Sequence, residues 1–220
     1  YLKERHRENA AVAFVSNCNM KFRIDVMAKL RELGVPVDNY GKCGRTHHET
    51  QTPGVSKQAS KASTLRKYKF CLAFENSIEE DYVTEKLWQC LAHGGLTVLI
   101  GPPNARDYYP AGEDSMLYIP SMDEVPNVAS RIRAMMDDDD LYMKAMSWKV
   151  GPLKHRCCSH PCNATKTCGI LLNYAGGAQV TYQSSHHKHE GRLKRKRKGC
   201  EQIPCTDPPT HTSATYASPA

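Results

Sequence analysis

A chain of 220 residues, 40% apolar and 24% charged, is long enough for one core and too apolar to be disordered throughout. No run of eighteen apolar residues occurs, so no segment reads as a bilayer span. The net charge of +7 sits at one end: residues 1–150 carry 20 basic and 20 acidic side chains, residues 151–220 carry 10 basic and 3 acidic. A neutral body with a basic tail argues against a nucleic-acid-binding domain, in which the positive charge lies on the folded surface. The chain opens at Tyr1 with no basic-then-apolar leader, so it reads as an internal piece or one whose start is missing.

Residues 11–15 are a short apolar run that stops at Ser16-Asn17-Cys18, as a buried strand does. Phe22, Val26, Leu30 and Leu33 then recur at helical spacing, and Gly34 suits the helix end. Residues 35–40 predict a second strand, 44–56 a polar loop, and 57–67 a short basic helix. Residues 70–74 are an apolar strand broken by Glu75-Asn76-Ser77 and an acidic loop. A helix over 84–93 follows, with Leu87, Cys90 and Leu91 on one face, then a buried strand over 96–100 cut by Gly101-Pro102-Pro103. Strand, helix and parallel strand make a right-handed crossover. A last strand over 117–120 and helices over 125–136 and 141–148 complete an α/β domain with a doubly wound parallel sheet. Beyond Gly151-Pro152 the periodicity stops. The boundary is therefore set at 152, with a Cys-rich, basic tail over 153–220 that is mostly disordered from 185 on.

In an open α/β sheet, ligands sit beyond the carboxyl ends of the strands. One such end offers Ser16, Asn17 and Arg23; another offers Glu75, Asn76, Ser77, Asp81, Tyr82, Thr84, Glu85 and Lys86. Lys86 stands in the first turn of a helix, against the helix dipole, which makes sense if an anion binds beside it. Arg23 could add a bidentate cation to the same diphosphate. The plainer alternative is that Thr84 and Glu85 only cap the helix and that Lys86 belongs to a solvated face. No G-x-G-x-x-G, P-loop or Ser-His-Asp pattern is present.

The runs Phe70-Cys-Leu-Ala-Phe-Glu-Asn-Ser77, Asp81-Tyr-Val-Thr-Glu-Lys86 and Gly101-Pro-Pro-Asn104 resemble the donor-binding signature of the α1,3-fucosyltransferases of glycosyltransferase family 10. Phe14-Val-Ser-Asn-Cys18, Arg23, Asp38-Asn-Tyr-Gly-Lys-Cys43, Ser121-Met-Asp-Glu124, Trp148-Lys149 and Gly151-Pro152 extend the likeness over residues 8–152, nearest in flavour to the plant-type core enzymes. The resemblance implies the Rossmann-like C-terminal half of a two-domain GT-B enzyme, which binds GDP-fucose. It also implies inverting transfer of L-fucose to GlcNAc of glycoprotein N-glycans in α1,3 linkage. By carry-over, Arg23 and Lys86 neutralise the diphosphate, Glu85 accepts hydrogen bonds from the ribose, and Tyr82 packs near the nucleoside. Asn76 bonds near the phosphates and sugar, and Glu75 orients Lys86 or touches fucose. No metal is implied: the cations do the charge work. The general base belongs to the N-terminal acceptor domain of the family, so no catalytic residue is assigned here, and this piece alone is expected to bind donor without efficient transfer. Golgi residence, lumenal side, with membrane contact only through an N-terminal anchor, is the location the family implies.

Ten cysteines fit an oxidising lumen with disulfides, or a metal site in a reducing compartment; with the acceptor tripeptide Asn163-Ala-Thr165, the lumen fits better. Cys18 and Cys43 follow two strands expected to be neighbours and are read as a disulfide, with two free buried thiols as the alternative. In the tail a Cys158–Cys162 pair is expected where the family has Cys-x-x-Cys; zinc on Cys157, His160, Cys162 and Cys168 would fit no standard finger. Two other readings stand beside the first: a different nucleotide-sugar transferase, and a non-catalytic, basic, Cys-rich nucleic-acid- or metal-binding protein.

Overall fold

The computed structural model describes residues 7–49 and 53–150, with side chains described for 10–49 and 53–149. The expected tail features (the Cys158–Cys162 pair, the zinc set, Asn163 and the basic run) lie outside the described residues. Five strands, β1 (Arg7–Ala13), β2 (Val37–Asn39), β3 (Tyr68–Phe74), β4 (Leu96–Ile100) and β5 (Met116–Tyr118), form one sheet in the order β2-β1-β3-β4-β5. Every pairing is parallel. The helices are α1 (Lys21–Glu32), α2 (Lys57–Leu65), α3 (Glu85–His93), α4 (Val125–Asp137), α5 (Asp139–Ala145) and α6 (Ser147–Val150).

The strands are buried on both faces, as a doubly wound sheet requires. β3 and β4 are buried along their whole lengths. Alternate residues serve two cores. Ala11, Ala13, Phe70, Leu72, Val98 and Ile100 pack with Met27 and Leu30 of α1 and Val128 and Ile132 of α4. Val12, Cys71, Ala73 and Leu99 pack on the other face with Leu65 of α2 and Leu87 and Leu91 of α3. Chain order reverses between β1 and β3, so a crevice opens at the carboxyl ends of those two strands.

Several boundaries differ from the expected ones, most clearly in β1 and in the helix after α4. β1 starts at Arg7 rather than residue 11, because its polar beginning pairs with Tyr68 through an irregular register that an apolar run does not reveal. It stops at Ala13, so Phe14 and Val15 already belong to the loop. The helix expected over 141–148 begins at Asp139, where the Asp138 side chain accepts from the backbone N–H groups of Asp140 (2.9 Å) and Leu141 (3.0 Å). It ends at Ala145, and Ser147–Val150 forms a separate turn. Among the described residues there are two disulfides, Cys18–Cys43 and Cys71–Cys90. The second, which was not anticipated, ties β3 to α3.

Candidate functional site

The loops leaving β1 and β2 are held together by one buried side chain. Asn39 Oδ1 accepts from the backbone N–H groups of Val15 and Gly41, each at 3.0 Å, and its Nδ2 donates to the carbonyl of Cys43 at 2.6 Å. The Cys18–Cys43 disulfide closes the same junction. The backbone from Ser16 to the start of α1 is therefore anchored where the crevice opens.

Glu75, the first residue after β3, is fully buried. A carboxylate there needs several donors, and it has three. Oε1 accepts from the Thr84 N–H at 2.9 Å; Oε2 accepts from the Thr84 hydroxyl at 2.6 Å and from Lys86 Nζ at 3.2 Å. Lys86 Nζ also donates to Thr84 Oγ1 at 2.7 Å and lies 3.3 Å from Glu85 Oε1. Thr84 is the residue before α3, yet its hydroxyl makes no capping bond to the helix. It serves Glu75 instead, so the capping alternative does not hold for Thr84. The result is a lysine held upright at a helix N-terminus, one-fifth exposed, on a buried acidic base.

Arg23 enters from the other side. It is 1% exposed, and Nη1 donates to the Phe74 carbonyl at 3.0 Å and to Asn76 Oδ1 at 2.6 Å, while Nη2 donates to the Asn17 carbonyl. Its Nε is buried without a hydrogen-bond partner among the described residues. Burial pulls the guanidinium below its usual range, while Glu75 and Tyr82 oppose that pull. Arg23 thus positions Asn76 and both strand-end loops and adds a buried positive charge behind them.

Glu85 is 55% exposed beside Lys86. Burial pushes its carboxyl up, but Lys86, the helix N-terminal backbone and the bonds from Lys86 and Thr84 outweigh that and leave it below the usual carboxylate range. Tyr82 is half-buried, with its backbone N–H on the Glu79 carbonyl at 3.0 Å. Asp81 takes a left-handed conformation (φ 61°). It is held there by Asn104, which donates to Oδ1 at 2.9 Å and accepts from the Asp81 N–H at 3.1 Å, and by the Tyr108 hydroxyl at 2.7 Å. The Gly-Pro-Pro-Asn turn after β4 therefore shapes the Asp81–Tyr82 corner, a role that the sequence reading left unassigned to Asn104.

The structure gathers Glu75, Asn76, Thr84, Glu85, Lys86 and Arg23 around the β1/β3 crevice. Two cations and a helix N-terminus there suit an anion such as a diphosphate, and the exposed carboxylate of Glu85 suits hydroxyl donors. Among the described residues no group of three or more His, Cys, Asp or Glu side chains could hold a metal ion, and no helix is long and apolar enough to cross a membrane. Sequence reasoning missed the Cys71–Cys90 bridge, although alternation in β3 and the apolar face of α3 put both sulfurs on one side.

The family model described as glycosyltransferase family 10 (fucosyltransferase), C-terminal, matches residues 4–181. A fucosyltransferase-like protein of Arabidopsis thaliana is 39% identical over 140 residues, 63% of this chain and 26% of that protein. A GDP-fucose protein O-fucosyltransferase 3 of Bos taurus is 36% identical over 121 residues, 53% of this chain and 25% of that protein. The chain therefore spans about a quarter of the length of these relatives. A crystal structure of an α1,3-fucosyltransferase with GDP shares the fold at a TM-score of 0.55 and 18% identity, covering 79% of this chain and 48% of that one.

Proposed function

Because the chain belongs to the fucosyltransferases of glycosyltransferase family 10, we propose that its β1/β3 crevice binds GDP-fucose and that the protein carrying it transfers L-fucose with inversion. The observation that carries this reading is the Glu75–Thr84–Lys86 cradle, which fixes an ammonium group at the start of α3 where a leaving diphosphate needs charge. In the reaction an acceptor hydroxyl oxygen forms a bond to fucose C1 while the bond from C1 to the β-phosphate oxygen breaks. GDP departs with the bonding electrons, and the hydroxyl proton passes to a general base. That base we assign to the acceptor-binding half of the enzyme and to no residue described here. Lys86 stabilises the charge that develops on the diphosphate, and Arg23 adds buried charge behind Asn76. Glu85 accepts from the ribose hydroxyls, Tyr82 packs against the nucleoside, and Asn76 bonds near the phosphates and sugar. The cations supply the charge compensation, so the reading requires no metal.

For the acceptor, the motif pattern supports GlcNAc of glycoprotein N-glycans, in α1,3 linkage. A second reading, transfer to a hydroxyl of the polypeptide itself, is favoured by the 32–36% identity to vertebrate proteins named for protein O-fucosylation. The disulfides of the described residues support an oxidising, secretory-pathway compartment under either reading, and the Golgi lumen is the compartment we propose. Product analysis decides the acceptor. The full-length protein is incubated with GDP-fucose and either a core N-glycopeptide or an unglycosylated, folded substrate domain. Fucose on GlcNAc, released with the whole glycan when a glycoamidase that accepts core-fucosylated glycans cleaves the GlcNAc–Asn bond, supports the first; fucose retained on Ser or Thr supports the second. Transfer to neither, with donor intact, contradicts fucosyl transfer.

A further inference from the structure

We propose that Lys61 of α2 is a third cation of the nucleotide site, facing the α-phosphate between Glu85 and Lys86. The inference rests on the donor reading above and adds a residue that lies outside its signature motifs. α2 packs against α3 and β3. Lys61 Nζ stands 4.8 Å from the centre of the Phe14 ring, in the loop that leaves β1. Lys61, Phe14, Phe74, Lys86 and Gln89 line one small cleft. Two lysines thus line a single cleft, and Glu75 and Glu85 pair with only one of them, Lys86.

Three further observations separate a ligand contact from a lysine that merely lays its stem over apolar neighbours. First, among the described residues Lys61 has no hydrogen bond and no ion pair. Its helical neighbours one turn away, Lys57, Gln58, Thr64 and Leu65, include no acid to pair with. Second, Gln89 Oε1, in the same cleft, is buried without a hydrogen-bond partner among the described residues, an acceptor left for a hydroxyl or N–H donor of the nucleotide. Third, burial pulls the Lys61 ammonium below the usual lysine range, Lys86 pulls the same way, and Glu85, the strongest of the opposing carboxylates, offsets only part of this. Glu85, proposed above as the ribose acceptor, is thus one of the charges that act on Lys61, and a phosphate beside the nucleoside would offset both the burial and the like charge.

Two measurements on the full chain test it. Calorimetric titration with GDP and GMP compares the unsubstituted chain with Lys61→Met, which keeps the stem over Phe14. A contact to the α-phosphate predicts about tenfold weaker binding of both nucleotides, because both carry that phosphate and lose one charge-assisted bond. Mass-spectrometric mapping of lysine acylation near pH 8 needs no substitution, so it stays decisive if the variant fails to fold. Acylation of Lys61 is expected to be slowed by saturating GMP. Unchanged affinities in Lys61→Met, or acylation of Lys61 unaffected by GMP, overturn the assignment while leaving the donor site standing. Failure of the unsubstituted chain to bind either nucleotide overturns the donor reading and this assignment together.

Discussion

At the scale of single residues, Glu75 governs the site more than the cations it serves. A buried carboxylate with three donors fixes the N-terminal turn of α3 and the direction of Lys86 at once. Glu75→Gln keeps the shape but removes the charge opposite Lys86 and turns an acceptor into a donor facing the Thr84 hydroxyl. Loss of stability by about 1–3 kcal/mol is expected in denaturant unfolding, the cost of a buried polar group left without its partner. Unchanged stability would mean that the cradle is incidental. Lys86→Met acts on binding and on folding. It leaves Glu75 the two Thr84 bonds but removes the ion-pair partner of a buried carboxylate, so some stability is lost, while GDP binding weakens tenfold or more in calorimetry. Equal GDP affinity in that variant would remove Lys86 from the site.

At the scale of elements, the donor helix α3 is fastened twice. Its N-terminus is bonded to Glu75, and its middle is joined to β3 by Cys71–Cys90, which closes a loop of 19 residues in sequence. A bridge of that length stabilises by about 3 kcal/mol in the chain-entropy model. Cys71→Ala with Cys90→Ala is expected to lower the unfolding midpoint accordingly, and a midpoint within a degree of the parent would show that packing alone holds the helix. Gly95, between α3 and β4, has no room for a side chain: a Cβ would lie 1.8 Å from the Lys69 carbonyl oxygen. Gly95→Ala should therefore prevent soluble expression of the folded domain, and a well-folded variant by circular dichroism would contradict the observed approach of the two strands. These elements also show what the sequence carried. The apolar runs at 70–74 and 96–100 and the periodicity of α1, α3 and α4 were legible, since burial on one or both sides leaves its pattern in composition. So were Glu75, Asn76, Thr84, Glu85 and Lys86 as a cluster, because they crowd the end of a strand. The polar start of β1 was not legible, because pairing rather than apolarity defines it. Nor were the partners of Arg23, which lie 51 and 53 residues away, or the place of Lys61, whose neighbours come from three other segments.

At the scale of the whole molecule, the order β2-β1-β3-β4-β5 explains why residues so far apart meet. The reversal between β1 and β3 makes the crevice, α1 brings Arg23 to one wall and α3 brings Lys86 to the other. Stability should also depend on pH in a predictable sense. His93, at the end of α3, is lowered from 6.5 by burial, then by Arg66 and Lys149. The unfolded chain therefore takes up this proton first as pH falls. The contribution of His93 is fully present above 6.5 and is lost as pH drops toward the folded value. His93→Gln is expected to flatten the unfolding midpoint against pH just below 6.5, and an unchanged slope would assign the dependence elsewhere.

If this crevice is a guanine-nucleotide-sugar site, calorimetric titration of the chain with GDP-fucose and GDP, with ADP and UDP as controls, should show it. Saturable binding of both guanine nucleotides is expected, and binding at least tenfold weaker for ADP and UDP. Equal binding of all four, or binding of none, would contradict it.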